Sequence, residues 1–333
     1  MDTEIHTLLA NIWFFIIGLM LFLYIVLDGF DLGVGILSLF TRKDDHRTIM
    51  MKSLEGIWDA NETWLVLLGG ALFGAFPPVF AISLQSLYIP IMVMLFALTF
   101  RGVAFEFSHY AQNKALWNLA FGYCSLLASL AQGFVISGLI DGLNIIEGNY
   151  QGTAWGWFTP FSILVTLMVV TGYTLMGTTY LMIKTDGAIQ RVSIRQSYVA
   201  AVLEIVILGV VIIWASRFNL YFADLWADNV TGYSLNFFFI SAVFAFVMLM
   251  RALRNGFELT AFFWSVIVFL ASFTAVTIDN YPFMIPASIE LTDAASSSKT
   301  LIFMLSGIGF LMPVMLIYSG YQYLVFRGKV HIG

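Results

Sequence analysis

The 333-residue chain has very little charge, one cysteine and four histidines. Only 11% of its residues are Asp, Glu, Lys or Arg, against 60% hydrophobic, and its mean hydropathy is +0.89. That combination excludes a soluble domain and places the chain among polytopic membrane proteins. A single thiol, Cys124, excludes an intrachain disulfide and a two-thiolate metal site; in mid-helix it reads as a small buried residue. The four histidines, His6, His46, His109 and His331, all fall at chain ends, in a loop or at a helix end, and none is mid-span. Membrane haems and copper centres usually take imidazole ligands from within helices, so this chain alone is not expected to hold a haem or a metal. There is no basic stripe for nucleic acid. The acidic start, Met1 to Thr7, predicts that no signal peptide is cleaved and that the first span is retained.

What is present is long apolar runs. Windows of about 20 residues, enough to cross a bilayer, fall near 8–28, 57–76, 79–100, 115–140, 157–183, 198–218, 235–250, 258–278 and 300–326. The expected fold is an all-α integral membrane protein with nine transmembrane helices. It reads as a single polytopic domain over 1–333: two four-helix bundles near 8–140 and 157–278, plus one peripheral helix at 300–326. Thirteen of the fifteen Lys and Arg residues fall in alternate connections; the exceptions are Arg217 and Lys299. The positive-inside rule then puts the N-terminus outside and the C-terminus in the cytoplasm. Pro77-Pro78 predicts a tight outer turn, Asn255-Gly256 a short hairpin, and Pro90 and Pro313 kinks inside their spans. Of the outer connections, Asp141–Trp155 and Phe222–Ser234 are too short for a soluble domain. The last, around Asp279–Ser288 and Asp293–Lys299, suits either a partner contact or a plain interfacial loop.

The polar residues gather at one level. Asp28 and Asp31 lie about 30 to 35 Å along the first helix, at its cytoplasmic end, and their spacing of three puts them on one face. Asp59 and Glu62 open the second helix at the same level, Arg101 and Glu106 close the third, and Glu204 is placed early in the sixth. Together these predict an acidic layer just inside the cytoplasmic face. Two readings stand. One is a proton entry, with carboxylates and Asn61 relaying protons inward. The other is structural: Asp28-Gly29 ends or bends helix one, Asp59 caps helix two, and Arg101 neutralises an acid. Trp58 and Trp64 flank the knot as interfacial aromatics or as packing for a quinone or porphyrin edge. Gly33–Leu37 and Gly172–Gly177 are faintly alike, which close helix contacts explain as well as an internal repeat does.

These residues carry a resemblance. Asp28-Gly29-Phe30-Asp31-Leu32-Gly33-Val34-Gly35, Trp58-Asp59-Ala60-Asn61-Glu62-Thr63-Trp64-Leu65 and Gly69-Gly70-Ala71-Leu72-Phe73-Gly74-Ala75-Phe76-Pro77 are similar to segments of subunit II of the cytochrome bd-type quinol oxidases. So are Arg101-Gly102-Val103-Ala104-Phe105-Glu106-Phe107, Tyr281-Pro282-Phe283-Met284-Ile285-Pro286 and Asp293-Ala294-Ala295-Ser296-Ser297, although Thr292 stands where the family often has Trp. The resemblance implies a bacterial inner-membrane respiratory complex that oxidises quinol and reduces O2 to water with cytoplasmic protons. It further implies that haems b and d reside in subunit I, that subunit II is a haem-free partner of like fold, and that a small single-helix subunit completes the assembly. Quinol and lipids are the implied small-molecule partners, and some members hold a structural quinone in subunit II. The family positions for proton uptake or interface support correspond to Asp31, Asp59, Trp58 and Arg101. The competing class is a stand-alone proton-coupled secondary transporter, which would place polar groups near the midplane.

Overall fold

A computed structural model describes residues 2–112, 114–141, 143–146, 149–218, 229–277, 281–286 and 288–330. The first apolar run forms α1 (Asp2–Leu39), followed by the short polar α2 (Asp44–Lys52). Then come α3 (Trp58–Ala75), α4 (Pro77–Ser86), α5 (Tyr88–Tyr110) and α6 (Lys114–Asp141). The second half contains α7 (Pro160–Lys184), α8 (Gly187–Phe218), α9 (Asn229–Asn255), α10 (Glu258–Thr277), the single turn α11 (Leu291–Ala294) and α12 (Ser298–Val325). Two small hairpins occupy connections between helices: β1 (Ile145–Ile146) with β2 (Asn149–Tyr150), and β3 (Phe283–Ile285) with β4 (Ile289–Glu290).

Among the described residues, eight helices are long and apolar enough to cross a membrane, and α3 with α4 forms a further pair bent by 119°. The bend follows from the sequence. Pro77 cannot donate back to the carbonyls of α3, but it suits the first position of a new helix. The freed end of α3 is capped from far away: Ser296 donates its backbone N–H to the Ala75 carbonyl (2.8 Å) and its hydroxyl to the Gly74 carbonyl (2.7 Å). The segment around Tyr281–Ser297 thus folds back on the chain itself, with Tyr281 bonding Asn11 (3.1 Å) and His6 contacting the Thr292 carbonyl (3.2 Å).

α1 is the hub and packs against α3, α6, α7 and α12. Its approach to α7 requires glycine on both sides. A Cβ at Gly33 would strike the Tyr173 carbonyl, and a Cβ at Gly177 would sit 2.6 Å from Val34 N. Small residues let two backbones touch in this way, so close contact explains the likeness of these two stretches. The main core cluster runs from Trp13 and Met20 on α1 through Trp64 on α3 to Tyr173 on α7 and Phe269 on α10. α12 is the least covered helix; of its residues only Leu301 and Ser319 are buried.

Several expected boundaries move. The first span does not end at 28: Asp28-Gly29 does not stop the helix, which runs to Leu39. The third span is not 79–100, because the chain breaks at Leu87 and restarts as α5. Pro90 therefore lies in the first turn of α5, where no donor is missed. Arg101 does not close that helix either; it lies nine residues before Tyr110, about 13 Å inside. It is buried rather than a loop cation. Asp279, Asn280, Ala287, His331 and residues 222–228 lie outside the described residues.

Candidate functional site

The depth of the polar layer is set by hydrogen bonds that tie α1 to α12 near each end, one of them through Asn61 on α3. Near one end the Trp13 indole donates to the Leu301 carbonyl (3.1 Å). Near the other, Asn61 donates to Asp31 Oδ2 (2.8 Å) and accepts from the Tyr323 hydroxyl (2.9 Å). The 22 residues from Leu301 to Tyr323 rise about 33 Å, close to the hydrocarbon thickness of about 30 Å. Asp31 therefore sits at the rim of the hydrocarbon, not at its centre.

Three helices bring the charges together there. Asp28 comes from α1, Glu62 from the second turn of α3, and Arg101 from within α5. One guanidinium nitrogen, Arg101 Nη2, donates to Asp28 Oδ1 at 2.6 Å and to Glu62 Oε2 at 3.1 Å. Arg101 and Asp28 are at most 2% exposed, whereas the Glu62 side chain is 24% exposed. Asp31 lies one turn beyond Asp28 on the same face and is itself buried. Trp58 covers the α5 side, its ring 5.4 Å from Phe105 and against Gly102.

The cluster is not closed on itself. Asp28 Oδ2, Asp31 Oδ1 and Arg101 Nη1 are buried without a hydrogen-bond partner among the described residues. Each unsatisfied polar group of this kind costs about 1–3 kcal/mol, more when charged.

Not every expected member belongs. Asp59, at the start of α3, and Glu106, near the end of α5, are both exposed. Asp59 is one helical turn before Glu62, so it lies beside the cluster rather than in it. Glu204 is at another depth altogether. It is seventeen residues into α8, about 25 Å from Gly187, buried, and bonded by the Thr171 hydroxyl at 2.6 Å. The expected single layer thus separates into a rim cluster and one deeper carboxylate, because α8 begins eleven residues earlier than the span predicted from 198.

A second polar chain had no advance notice. Tyr173 donates to Gln132 Oε1 (2.7 Å), and Gln132 donates to the Tyr24 hydroxyl (2.6 Å), all three buried between α1, α6 and α7. Tyr24 is one turn before Asp28, so this chain lies above the ionic cluster. The available signal was Gln132, an amide in the middle of an apolar run. Nearby, the Tyr180 hydroxyl bonds the Ser53 carbonyl (2.7 Å) and its ring stacks on Phe30 at 4.3 Å.

His6 sits in the first turns of α1 with its ring nitrogens 3.2 Å from Ser298 Oγ and the Thr292 carbonyl, and His46 lies in the short α2. Among the described residues no three His, Cys, Asp or Glu side chains are grouped to hold a metal ion.

The chain has known relatives in sequence and in fold. The cytochrome bd-I ubiquinol oxidase subunit 2 of Escherichia coli K12 is 27% identical over 364 aligned residues, covering 98% of this chain and 96% of that protein. The cytochrome bd ubiquinol oxidase subunit 2 of Bacillus subtilis is 31% identical over 188 residues, about 55% of each chain. A chain of the bd oxidase from Geobacillus thermodenitrificans shares the fold, with a TM-score of 0.76 at 20% identity over 96% of this chain and 99% of that one. The apolar spans and these relatives mark a multi-pass protein of the bacterial inner membrane. The model of the cytochrome bd terminal oxidase subunit II family matches residues 9–326, nearly the whole chain, and the chain belongs to that family.

Proposed function

We propose that this chain is the haem-free subunit of its oxidase and that the rim cluster admits cytoplasmic protons for O2 reduction by a haem-bearing subunit I. The observation that carries the proton reading is the graded exposure of the acids combined with their incomplete pairing. Asp59 is exposed, Glu62 is partly exposed, and Asp28 and Asp31 are buried. A proton taken up at Asp59 meets Glu62 one turn later. Arg101 holds Glu62 and Asp28 to one donor and so keeps two carboxylates side by side. The unpaired oxygens of Asp28 and Asp31 are the acceptors beyond it. Intramembrane acids of this kind commonly serve proton relays.

The same reading takes α3 with α4 as one crossing, giving nine, with the basic connections and the C-terminus in the cytoplasm. It treats 1–333 as one membrane domain, with groups near 8–140 and 157–278 and α12 added at the side. Haems b and d then belong to subunit I, a small single-helix subunit joins the pair, and quinol and lipids are the remaining partners. The positions of the histidines support the haem-free assignment.

The transporter alternative draws on one observation, the depth of Glu204. Against it, α7 and α8 run unbroken past that level, whereas transporter sites form at interrupted helices. The test is to purify the tagged chain from membranes and record an optical spectrum. Co-purification of a haem-bearing partner, with no haem on this chain after separation, is expected. Haem retained by the isolated chain, or a stable partnerless chain with transport activity, overturns the proposal.

A further inference from the structure

The rim cluster reaches α12 through Asn61. This side chain is wholly buried on α3, with its amide Nδ2 2.8 Å from Asp31 Oδ2 and its Oδ1 2.9 Å from the Tyr323 hydroxyl. An amide offers donors on one side and an acceptor on the other, and its neighbours decide which way it faces. The Tyr323 hydroxyl donates to the amide oxygen, so the N–H groups are left toward Asp31. The reverse orientation would set the amide oxygen against an Asp31 oxygen at 2.8 Å, two acceptors face to face unless Asp31 is protonated. The same polarity recurs in the deeper chain, where the Tyr173 hydroxyl donates to Gln132 Oε1 and the amide N–H points on to Tyr24.

The Tyr323 hydroxyl is itself held in place. Its ring lies edge-on to Phe30 of α1, with centroids 6.5 Å apart. One turn further on, the Phe326 carbonyl at the end of α12 accepts from the buried Lys184 Nζ of α7. The Phe326 ring packs on Gly56, where φ is +83° and a Cβ would collide with that ring. Gly56 lies two residues ahead of Trp58, the first residue of α3. The end of α12 is thereby fixed to the start of the helix that carries Asn61. α12 is the least covered helix, yet it is pinned at the turn that bears Tyr323.

We propose that Tyr323 positions Asp31 through Asn61. Its hydroxyl holds the amide so that an N–H occupies Asp31 Oδ2, which leaves Oδ1 as the oxygen that takes a proton. Oδ1 is buried and has no hydrogen-bond partner among the described residues. Without the Tyr323 hydroxyl, Asn61 Oδ1 becomes a buried acceptor with no donor, and the amide regains one only by giving up its present hold on Asp31. The purpose of this hold rests on the proton-inlet reading; the hold itself does not.

The test is the infrared spectrum of the assembled oxidase carrying isotope-labelled aspartate, in which the Asp31 bands are those that Asp31→Asn removes. Asn61→Leu defines where those bands lie without the amide donor. Tyr323→Phe, which keeps the ring, is expected to move them toward that position and to lower turnover several-fold at unchanged haem content. In the Asn61→Leu background, Tyr323→Phe is expected to move them no further, because the hydroxyl acts through the amide. Tyr318→Phe removes a hydroxyl of the same helix that bonds Gln322, and is expected to leave bands and turnover at wild type. Unmoved bands in Tyr323→Phe, or a further shift in the Asn61→Leu background, overturn the positioning role whatever turnover does. Shifted bands with wild-type turnover leave that role standing and remove the proton-inlet reading instead.

Discussion

Arg101 donates to Asp28 across 2.6 Å, from α5 to α1, with neither side chain more than 2% exposed. The same nitrogen reaches Glu62 on α3, so one guanidinium ties three helices at the membrane rim. Removing one partner of a buried pair leaves an uncompensated charge and typically costs 3–5 kcal/mol. Arg101→Leu is therefore expected to cut the yield of assembled oxidase sharply. Asp28→Leu/Arg101→Leu should recover part of the thermal stability, because the orphaned carboxylate is gone as well. Arg101→Lys keeps the charge but loses the planar fork, and should fall between wild type and Arg101→Leu. Thermal inactivation of the purified complex ranks the variants.

The α1–α7 contact gives a sharper steric prediction. Gly33→Ala places a methyl group on the Tyr173 carbonyl, and neither backbone can yield without parting the helices. Overpacking of this kind costs about 1–3 kcal/mol. Gly209→Ala in α8, where a Cβ meets nothing within 4 Å of the same chain, should leave the inactivation temperature unchanged.

The buried amide Gln132 serves two tyrosines at once. Gln132→Leu strands both hydroxyls, at about 1–3 kcal/mol for each buried group left unpaired. Tyr173→Phe strands only the amide oxygen, and its effect on thermal inactivation should be smaller.

Outside the membrane, the C-terminal tail is latched to the α7–α8 turn. Lys329 bonds Asp186 (2.8 Å) and Glu258 (3.0 Å), and Val330 N–H donates to the Lys184 carbonyl (2.8 Å). The hydrogen bond to Asp186 is the main cause that raises the Lys329 ammonium above its usual range. A raised lysine contributes fully below the unfolded value of about 10.4, and its contribution is lost as pH climbs through the folded value. A spin label at Val330 should be less mobile in wild type than in Lys329→Ala near pH 8, and the difference should disappear at strongly alkaline pH.

Much of this was legible in the residues, and the failures have physical causes. Acids at Asp28, Asp31 and Glu62 stand out because charge in an apolar run is costly, and Pro77 announces the break after α3. Span ends were harder to place. An apolar run continues past the point where a 20-residue window is full, so α1 extends beyond 28 to Leu39 and α5 beyond 100 to Tyr110. The same effect placed Glu204 with the rim acids, although α8 already begins at Gly187. Tyr24, Tyr173 and Tyr323 gave no signal, because tyrosine in a membrane helix reads as an interfacial aromatic until its hydroxyl partner is seen.

The central claim is that the rim cluster delivers protons while another subunit holds the haems. The most direct measurement is quinol-driven O2 consumption by the Asp31→Asn complex, recorded beside its haem spectrum. The claim predicts that turnover falls several-fold while haem content stays at the wild-type level, because Asn preserves the bond to Asn61 but cannot carry the proton. Haem loss in step with activity, or unchanged turnover, would contradict it.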